Sequence, residues 1–201
     1  LRIKAFAFKN CHRLYSLTIP AQLKDFASTA IVDCSSMKLI YADTNSDYIA
    51  EQGALFDKDK KTLISYPAAK NQPYTIPDSV IEIAPYAFYG CSLSQITIPS
   101  DVQTIGEYAF AGSKTLTSLT ISAQITELPN GMIKDCDKIE ELNIPAGVTI
   151  IGNNFAQGCR RLRNIQFPAT LKAIGEYAFA NCLFTAITLN DGLEYLGKEA
   201  F

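Results

Sequence analysis

Cysteine and histidine are the residues of this chain best suited to reactive chemistry, and their placement limits what they could do. The six cysteines are Cys11, Cys34, Cys91, Cys136, Cys159 and Cys182, and His12 is the single histidine. Metal sites need clustered ligands, such as two cysteines a few residues apart or paired histidines. Here every cysteine stands alone, and most stand at one interval. Cys11 and Cys34 are 23 residues apart, and so are Cys136 and Cys159, and Cys159 and Cys182. Cys91 fits the same slot, and Ser113 fills it between Cys91 and Cys136. Such spacing predicts a ladder of free thiols packed as small apolar residues. Stacked copies would bring equivalent Cα atoms to about 5 Å, within disulfide range, so a Cys11–Cys34 bridge is the exception to examine. A hydrolytic triad needs a base, and His12 is the only conventional one. It adjoins Cys11, but sequence neighbours in a strand or turn rarely face each other. No catalytic residue, metal site or cofactor is therefore expected. Asp57 and Asp59 superficially suggest a calcium loop, yet Lys58, Lys60 and Lys61 oppose a cation, and the glycine and terminal glutamate of such a loop are absent. Arg160, Arg161 and Arg163 form the one basic knot, which reads either as a grip for an acidic partner or as a solvated turn. No glycine-rich phosphate loop occurs, and the glycines fall at repeat turns.

The elements that hold these residues repeat with the cysteines. Three residues before the slot stands Phe8, Ile31, Phe88, Phe110, Ile133, Ala156 or Phe179. After it comes a short alternating stretch, often closed by proline, as in Leu17-Thr18-Ile19-Pro20, Ile96-Thr97-Ile98-Pro99, Leu142-Asn143-Ile144-Pro145 and Ile165-Gln166-Phe167-Pro168. Leu119-Thr120-Ile121 and Ile187-Thr188-Leu189 match without the proline. A second apolar pair follows, for example Val102 with Ile105 and Val148 with Ile151. One unit of 22–23 residues cannot bury its own apolar side. About eight stacked units bury it against each other in a continuous core, each inward side chain contributing about 1.5–3 kcal/mol. Period-two alternation predicts strands that line up into one parallel sheet. The Gly-x-x-Ala-Phe stretches, as at Gly106–Phe110, predict turns with single helical or 3-10 turns on the other faces.

One unit differs. Ala42 and Ile76 hold equivalent positions but lie 34 residues apart. Gly53-Ala54-Leu55-Phe56 and Thr62-Leu63-Ile64-Ser65-Tyr66-Pro67 flank the charged link Asp57–Lys61, which predicts a β-hairpin within an enlarged unit at about residues 47–67. The domain reading is a single solenoid over residues 1–201. Ile3 already sits in a mid-unit slot and Phe201 ends on the phenylalanine slot, so the expectation is an excerpt of a longer array. A net charge of −2 gives no general attraction to nucleic acid or anionic lipid, and no apolar run reaches the roughly 18 residues that membrane insertion needs.

Binding is then expected on the outward face of the sheet. Its residues are Thr18, Thr97, Thr120, Asn143, Gln166 and Thr188, flanked by Ser16, Ser118, Glu141 and Asn164. This set suits broad, shallow contact with protein or glycan, or it simply solvates the sheet. Tyr86, Tyr108 and Tyr177 recur in another slot and read either as contact aromatics or as packing between repeats.

The unit Ile-Pro-x-x-Val-x-x-Ile-x-x-x-Ala-Phe-x-x-Cys, followed by x-x-Leu-x-x-Ile-x-Ile-Pro, resembles the BspA-type leucine-rich repeat family of bacterial surface proteins. Residues 77–99 show nearly all of it, with one residue deleted after Cys91. The segment 53–67 also resembles an insert seen in such proteins from Bacteroides-like gut bacteria. Ser113 for cysteine, Phe155-Ala156 for Ala-Phe, and Gly131-Met132-Ile133 depart from the pattern. The resemblance implies a leucine-rich-repeat solenoid in an exported, non-catalytic protein that binds extracellular or host proteins, or glycans, in an adhesin-like way. A spacer rod, or an accessory region of a larger secreted enzyme, is the alternative.

Overall fold

The structure, a computed structural model, describes residues 1–44 and 47–201. The chain winds through about eight turns of a β-rich solenoid. On the front face, Ser16–Ile19 pairs in parallel with Leu39–Ala42, Gln95–Ile98 with Ser118–Ile121, and Glu141–Asn143 with Asn164–Gln166. Equivalent residues meet across each pair, as Leu119 meets Ile96 and Thr120 meets Thr97. Alternation decides the facing: Ile96, Leu119 and Leu142 are buried, while Thr97, Thr120 and Asn143 are exposed. The expected single sheet is thus three ladders on one face, and Ile187–Leu189 lies outside any strand. Two of the interruptions coincide with shortened coils. Only five residues separate Cys91 from Ile96 and Cys182 from Ile187, where Cys136 and Leu142 are separated by six.

A second parallel sheet runs along the side, formed by the apolar-pair segment of each coil. Its strands are two residues long, among them Glu82–Ile83 with Thr104–Ile105, and Glu127–Leu128 with Ile150–Ile151, Ala173–Ile174 and Tyr195–Leu196. Two residues are too few to show alternation, which is why the sequence pattern hides this sheet. Glycine follows it at Gly106, Gly152, Gly175 and Gly197 for a steric reason. A Cβ at Gly175 would stand 2.6 Å from the backbone of Asn153 and Gly152, so the two coils touch there. The glycine amides bond across the contact, Gly106 to the Ile83 carbonyl and Gly175 to the Ile151 carbonyl, each at 2.8 Å. Pro129 occupies the same slot without an N–H. The side sheet is broken there, between Thr104–Ile105 and Glu127–Leu128.

A third ladder joins the coils without any strand. Tyr86, Phe88 and Gly90 donate their amides to the carbonyls of Glu107, Ala109 and Ala111 at 3.0, 2.7 and 2.8 Å, and Phe110 repeats the middle bond to Met132 at 2.9 Å. Alternate residues can all point along the solenoid axis because most corners hold two residues at positive φ. One slot carries Tyr86, Tyr108, Asn154 and Tyr177 at 56–60°, with Gly131 at 60°. The other carries Asp33, Asp135 and Asn181 at 59–62° and Gly90, Gly112 and Gly158 at 63–78°. Glycine, asparagine and aspartate suit that conformation, whereas tyrosine pays about 1–2 kcal/mol for it. Among the described residues, the 3-10 helix Ser28–Ile31 is the only helix, and the other corners are hydrogen-bonded turns.

The insert is larger than a hairpin. Ala54–Asp57 and Thr62–Ser65 pair antiparallel as expected, and Tyr48–Glu51 adds a third antiparallel strand. Thr62–Ser65 then joins Glu82–Ile83 in parallel, so the three strands continue the side sheet and are spliced into the stack. Both faces of Ala54–Asp57 and Thr62–Ser65 are buried. Leu55 and Ile64 pack with Ile19, Leu23 and Ile40, while Ala54, Phe56 and Leu63 pack with Ile76, Ile83 and Phe88. The core is divided in two by this wall. An ordinary coil contributes one side strand, so two extra strands wedge the side face open, and the front sheet parts between Leu39–Ala42 and Gln95–Ile98. The regular core resumes at Tyr66, whose ring stacks on Phe88, which stacks on Phe110 with centroids 4.9 Å apart.

Replacing Gly175 with alanine forces these coils apart. We expect Gly175→Ala to cost about 1–3 kcal/mol, read as a lower urea midpoint at unchanged m-value.

Candidate functional site

The cysteine slot does more than fill space. Cys34, Cys136, Cys159 and Cys182 donate their thiols to the carbonyls of Phe8, Phe110, Ile133 and Ala156 at 3.1–3.3 Å. Each acceptor lies 26 residues earlier, in the phenylalanine slot of the preceding coil. Ser113 makes the equivalent bond to the Phe88 carbonyl at 3.2 Å, and its hydroxyl lies 3.3 Å from the Cys91 thiol. The slot therefore needs a small donor, which explains why serine substitutes for cysteine there. All six cysteines are free, including Cys11 and Cys34. Burial pushes the thiols of Cys136 and Cys182 up to about 12 and raises Cys34, Cys91 and Cys159 as well. Cys11 alone is exposed. His12 is exposed too, and its Nδ1 lies 3.4 Å from the Ser35 hydroxyl.

The acidic and basic clusters resolve into turn chemistry. One carboxylate oxygen of Asp57 accepts the amides of Lys61 and Thr62 at 2.7 and 3.0 Å, closing the hairpin turn. Lys60 pairs with Glu51. No group of three or more histidine, cysteine or acidic residues that could hold a metal gathers among the described residues. No helix there is long and apolar enough to cross a membrane. Arg160, Arg161 and Arg163 are exposed, and Arg161 reaches Glu140 at 3.6 Å.

The front face presents the polar residues expected of it. Thr18, Thr97, Ser118, Thr120, Glu141, Asn143, Asn164, Gln166 and Thr188 are all exposed. Asn164 donates its side-chain amide to Glu141 at 3.2 Å. Two open recesses lie over the middle coils. One, of about 440 Å³, is bordered by Thr117, Lys138, Glu140, Asn143 and Arg161. The other, of about 400 Å³, is bordered by Asn71, Thr75, Gln95 and Thr97. Ser118 and Thr120 line both, so the two form one shallow trough across successive coils. Its floor is small hydroxyls and amides, and its charges sit at one end. Tyr41 also belongs to this face. It pairs in register with Thr18 and is 49% exposed. Leu39-Ile40-Tyr41-Ala42 lacks the closing proline, but its outward slot was readable from the 23-residue step after Thr18.

The recurring tyrosines lie on the corner and are half-buried. The Tyr86 and Tyr108 rings stack with centroids 5.1 Å apart, and Tyr89 approaches Tyr86 at 5.4 Å. The Tyr108 ring then covers Gly131 of the next coil, lying 2.2 Å from where a Cβ would stand. Beside this stack runs a row of carboxamides that the sequence pattern did not single out. Asn130 donates Nδ2 to Glu107 at 2.8 Å and accepts the Asn153 amide on Oδ1 at 2.7 Å. Asn153 accepts the Glu176 amide in the same way at 2.7 Å.

Stacked coils, inward aliphatic ladders and an outward polar sheet define a leucine-rich-repeat solenoid. The chain matches the BspA type leucine rich repeat region in six copies, over residues 1–66, 63–182 and 132–201, and it belongs to that family. Its fold is similar to that of a leucine rich cell surface protein from Faecalibacterium prausnitzii, at 29% identity and a TM-score of 0.78 over 87% of this chain and 48% of that one. A leucine-rich repeat protein from Bacteroides ovatus matches at 25% identity and a TM-score of 0.71, over 98% of this chain and 49% of that one. The pneumococcal vaccine antigen PcpA shares the fold at 22% identity and a TM-score of 0.76, over 92% of this chain and 46% of that one. The chain spans about half the length of these solved structures. No curated protein matches it.

Two outcomes follow from the thiol ladder. Cys136→Ser keeps the donor and Cys136→Ala removes it, so the alanine variant should be the less stable by about 0.5–1.5 kcal/mol in urea unfolding. The raised thiols also set an alkaline limit. Their folded values exceed the ordinary 9, so their contribution is complete below about pH 9 and declines as pH rises toward 12. Thermal melts should show this decline. An aromatic disulfide reagent should titrate Cys11 at once and the other five thiols only as the chain unfolds.

Proposed function

We propose that this chain is the protein-binding repeat region of a bacterial cell-surface or secreted protein, acting in an adhesin-like way through its front face. The observation that carries the reading is the trough shared by two recesses across successive coils. Thr97, Thr120, Asn143 and Gln166 make no side-chain hydrogen bond among the described residues, which leaves their donors and acceptors open to a partner. Parallel pairing holds Thr97 beside Thr120 and Asn143 beside Gln166 in fixed register, so little ordering cost falls on binding. Membership of the family and similarity to a cell-surface protein support the location. Breadth and polarity favour protein over a small ligand, because small-molecule sites are enclosed and mostly apolar.

Immobilised fibronectin, collagen and mucin glycans serve as probes. The reading expects retention on a protein probe, weakened about tenfold or more by Thr97→Arg with Asn143→Arg and unchanged by Gln103→Arg beside the side sheet. Equal binding by the front-face variant would refute this face as the contact surface. Retention by none of the probes would favour a spacer.

A further inference from the structure

We infer that Asn130–Gly131 is a latent deamidation site held closed by the corner ladder. It is the only Asn-Gly pair in the chain. In such a pair the glycine nitrogen can attack the asparagine carboxamide, because no side chain on the following residue obstructs the approach. The Gly131 nitrogen loses its proton and bonds to Asn130 Cγ, the Cγ–Nδ2 bond breaks, and ammonia leaves. Water then opens the resulting succinimide at either carbonyl, giving aspartate or isoaspartate at position 130.

The folded corner restrains every participant. The Gly131 amide donates to the Asn153 carbonyl at 2.9 Å, so the nucleophile is engaged with the next coil. Asn130 is tied at both ends of its carboxamide, through Nδ2 to Glu107 and through Oδ1 to the Asn153 amide. Gly131 itself is buried, with the Tyr108 ring over it and φ at 60°. Attack requires the Asn130 side chain to turn toward its own C-terminal neighbour, and that breaks both ties. Reaction therefore proceeds from the opened corner, at a rate scaled by how often it opens.

Closure is lost once the reaction has occurred. The leaving amide is the group that donates to Glu107, and the new carboxyl would face the Glu107 carboxylate at hydrogen-bond distance. Two carboxylates so placed repel, so conversion disfavours reclosure of this corner and loosens the Tyr86–Tyr108–Gly131 stack. Isoaspartate also lengthens the backbone by one bond at the ladder.

Peptide mass spectrometry after incubation at pH 8 tests the inference, comparing native protein, urea-unfolded protein and the exposed-site variant Glu107→Ala. Native protein should convert at position 130 about tenfold or more slowly than the unfolded chain, and Glu107→Ala should convert several-fold faster than native protein while remaining folded. Equal rates in native and unfolded protein would show that the fold does not gate the reaction. A Glu107→Ala rate equal to that of native protein would show that Glu107 is not part of the latch. Separately, Asn130→Asp should lower the melting temperature at pH 7, and adding Glu107→Gln should restore it. Failure of that restoration would overturn the charge argument.

Discussion

Everything in this molecule depends on contact between one coil and the next. No coil has an inside of its own: Phe110 is covered by Phe88, Cys136 bonds to the carbonyl of Phe110, and Gly175 fits against the backbone of the preceding coil. Each apolar side chain contributes about 1.5–3 kcal/mol only when its neighbours are present. The backbone is satisfied in the same way, because most corner and ladder amides find acceptors one coil away. Such a structure is nearly one-dimensional, with stability set by nearest-neighbour terms.

This dependence explains why the corners tolerate strain. A tyrosine at positive φ costs about 1–2 kcal/mol, and one net backbone hydrogen bond returns about 0.5–1.5 kcal/mol. Those terms roughly cancel. What decides the matter is the burial of the neighbouring Phe88 and Phe110, together with ring contacts such as Tyr86 on Tyr108. The insert follows the same logic. It survives inside the stack because alternate residues of Ala54–Asp57 and Thr62–Ser65 cover the core on both sides, and its charged link reaches solvent. The trough on the front face is then a by-product of stacking, since small polar residues recur wherever the strand points outward.

Much of this was legible from spacing. The 23-residue steps between cysteines and the Leu-Thr-Ile alternation define the front strands and the outward positions of Thr97, Thr120 and Asn143. The hairpin link at Asp57–Lys61 was readable from its flanking apolar runs. The side sheet was not, because two-residue strands have no period to detect. Tyr48–Glu51 escaped because its four residues are all half-buried and show no alternation. Nor does apolar periodicity distinguish a cysteine that packs from one that also donates a hydrogen bond. Ser113 was the clue, because a hydroxyl in a slot read as apolar requires an acceptor nearby. The Asn130–Asn153 row was hidden for a related reason: exposed carboxamides look like ordinary surface until the coils are superposed.

Amide hydrogen exchange measured by NMR tests coil-to-coil bonding most directly, because the corner ladder makes its bonds without strands. The account predicts that the amides of Tyr108, Phe110 and Gly112, which bond to the next coil, are protected as strongly as those of Ser118 and Ser122 on the front sheet, which bond to Ser94 and Ile98. The neighbouring amide of Glu107, which makes no such bond, should exchange quickly. Corner amides that exchange as fast as Glu107 would contradict it, and would leave the strands alone holding the solenoid together.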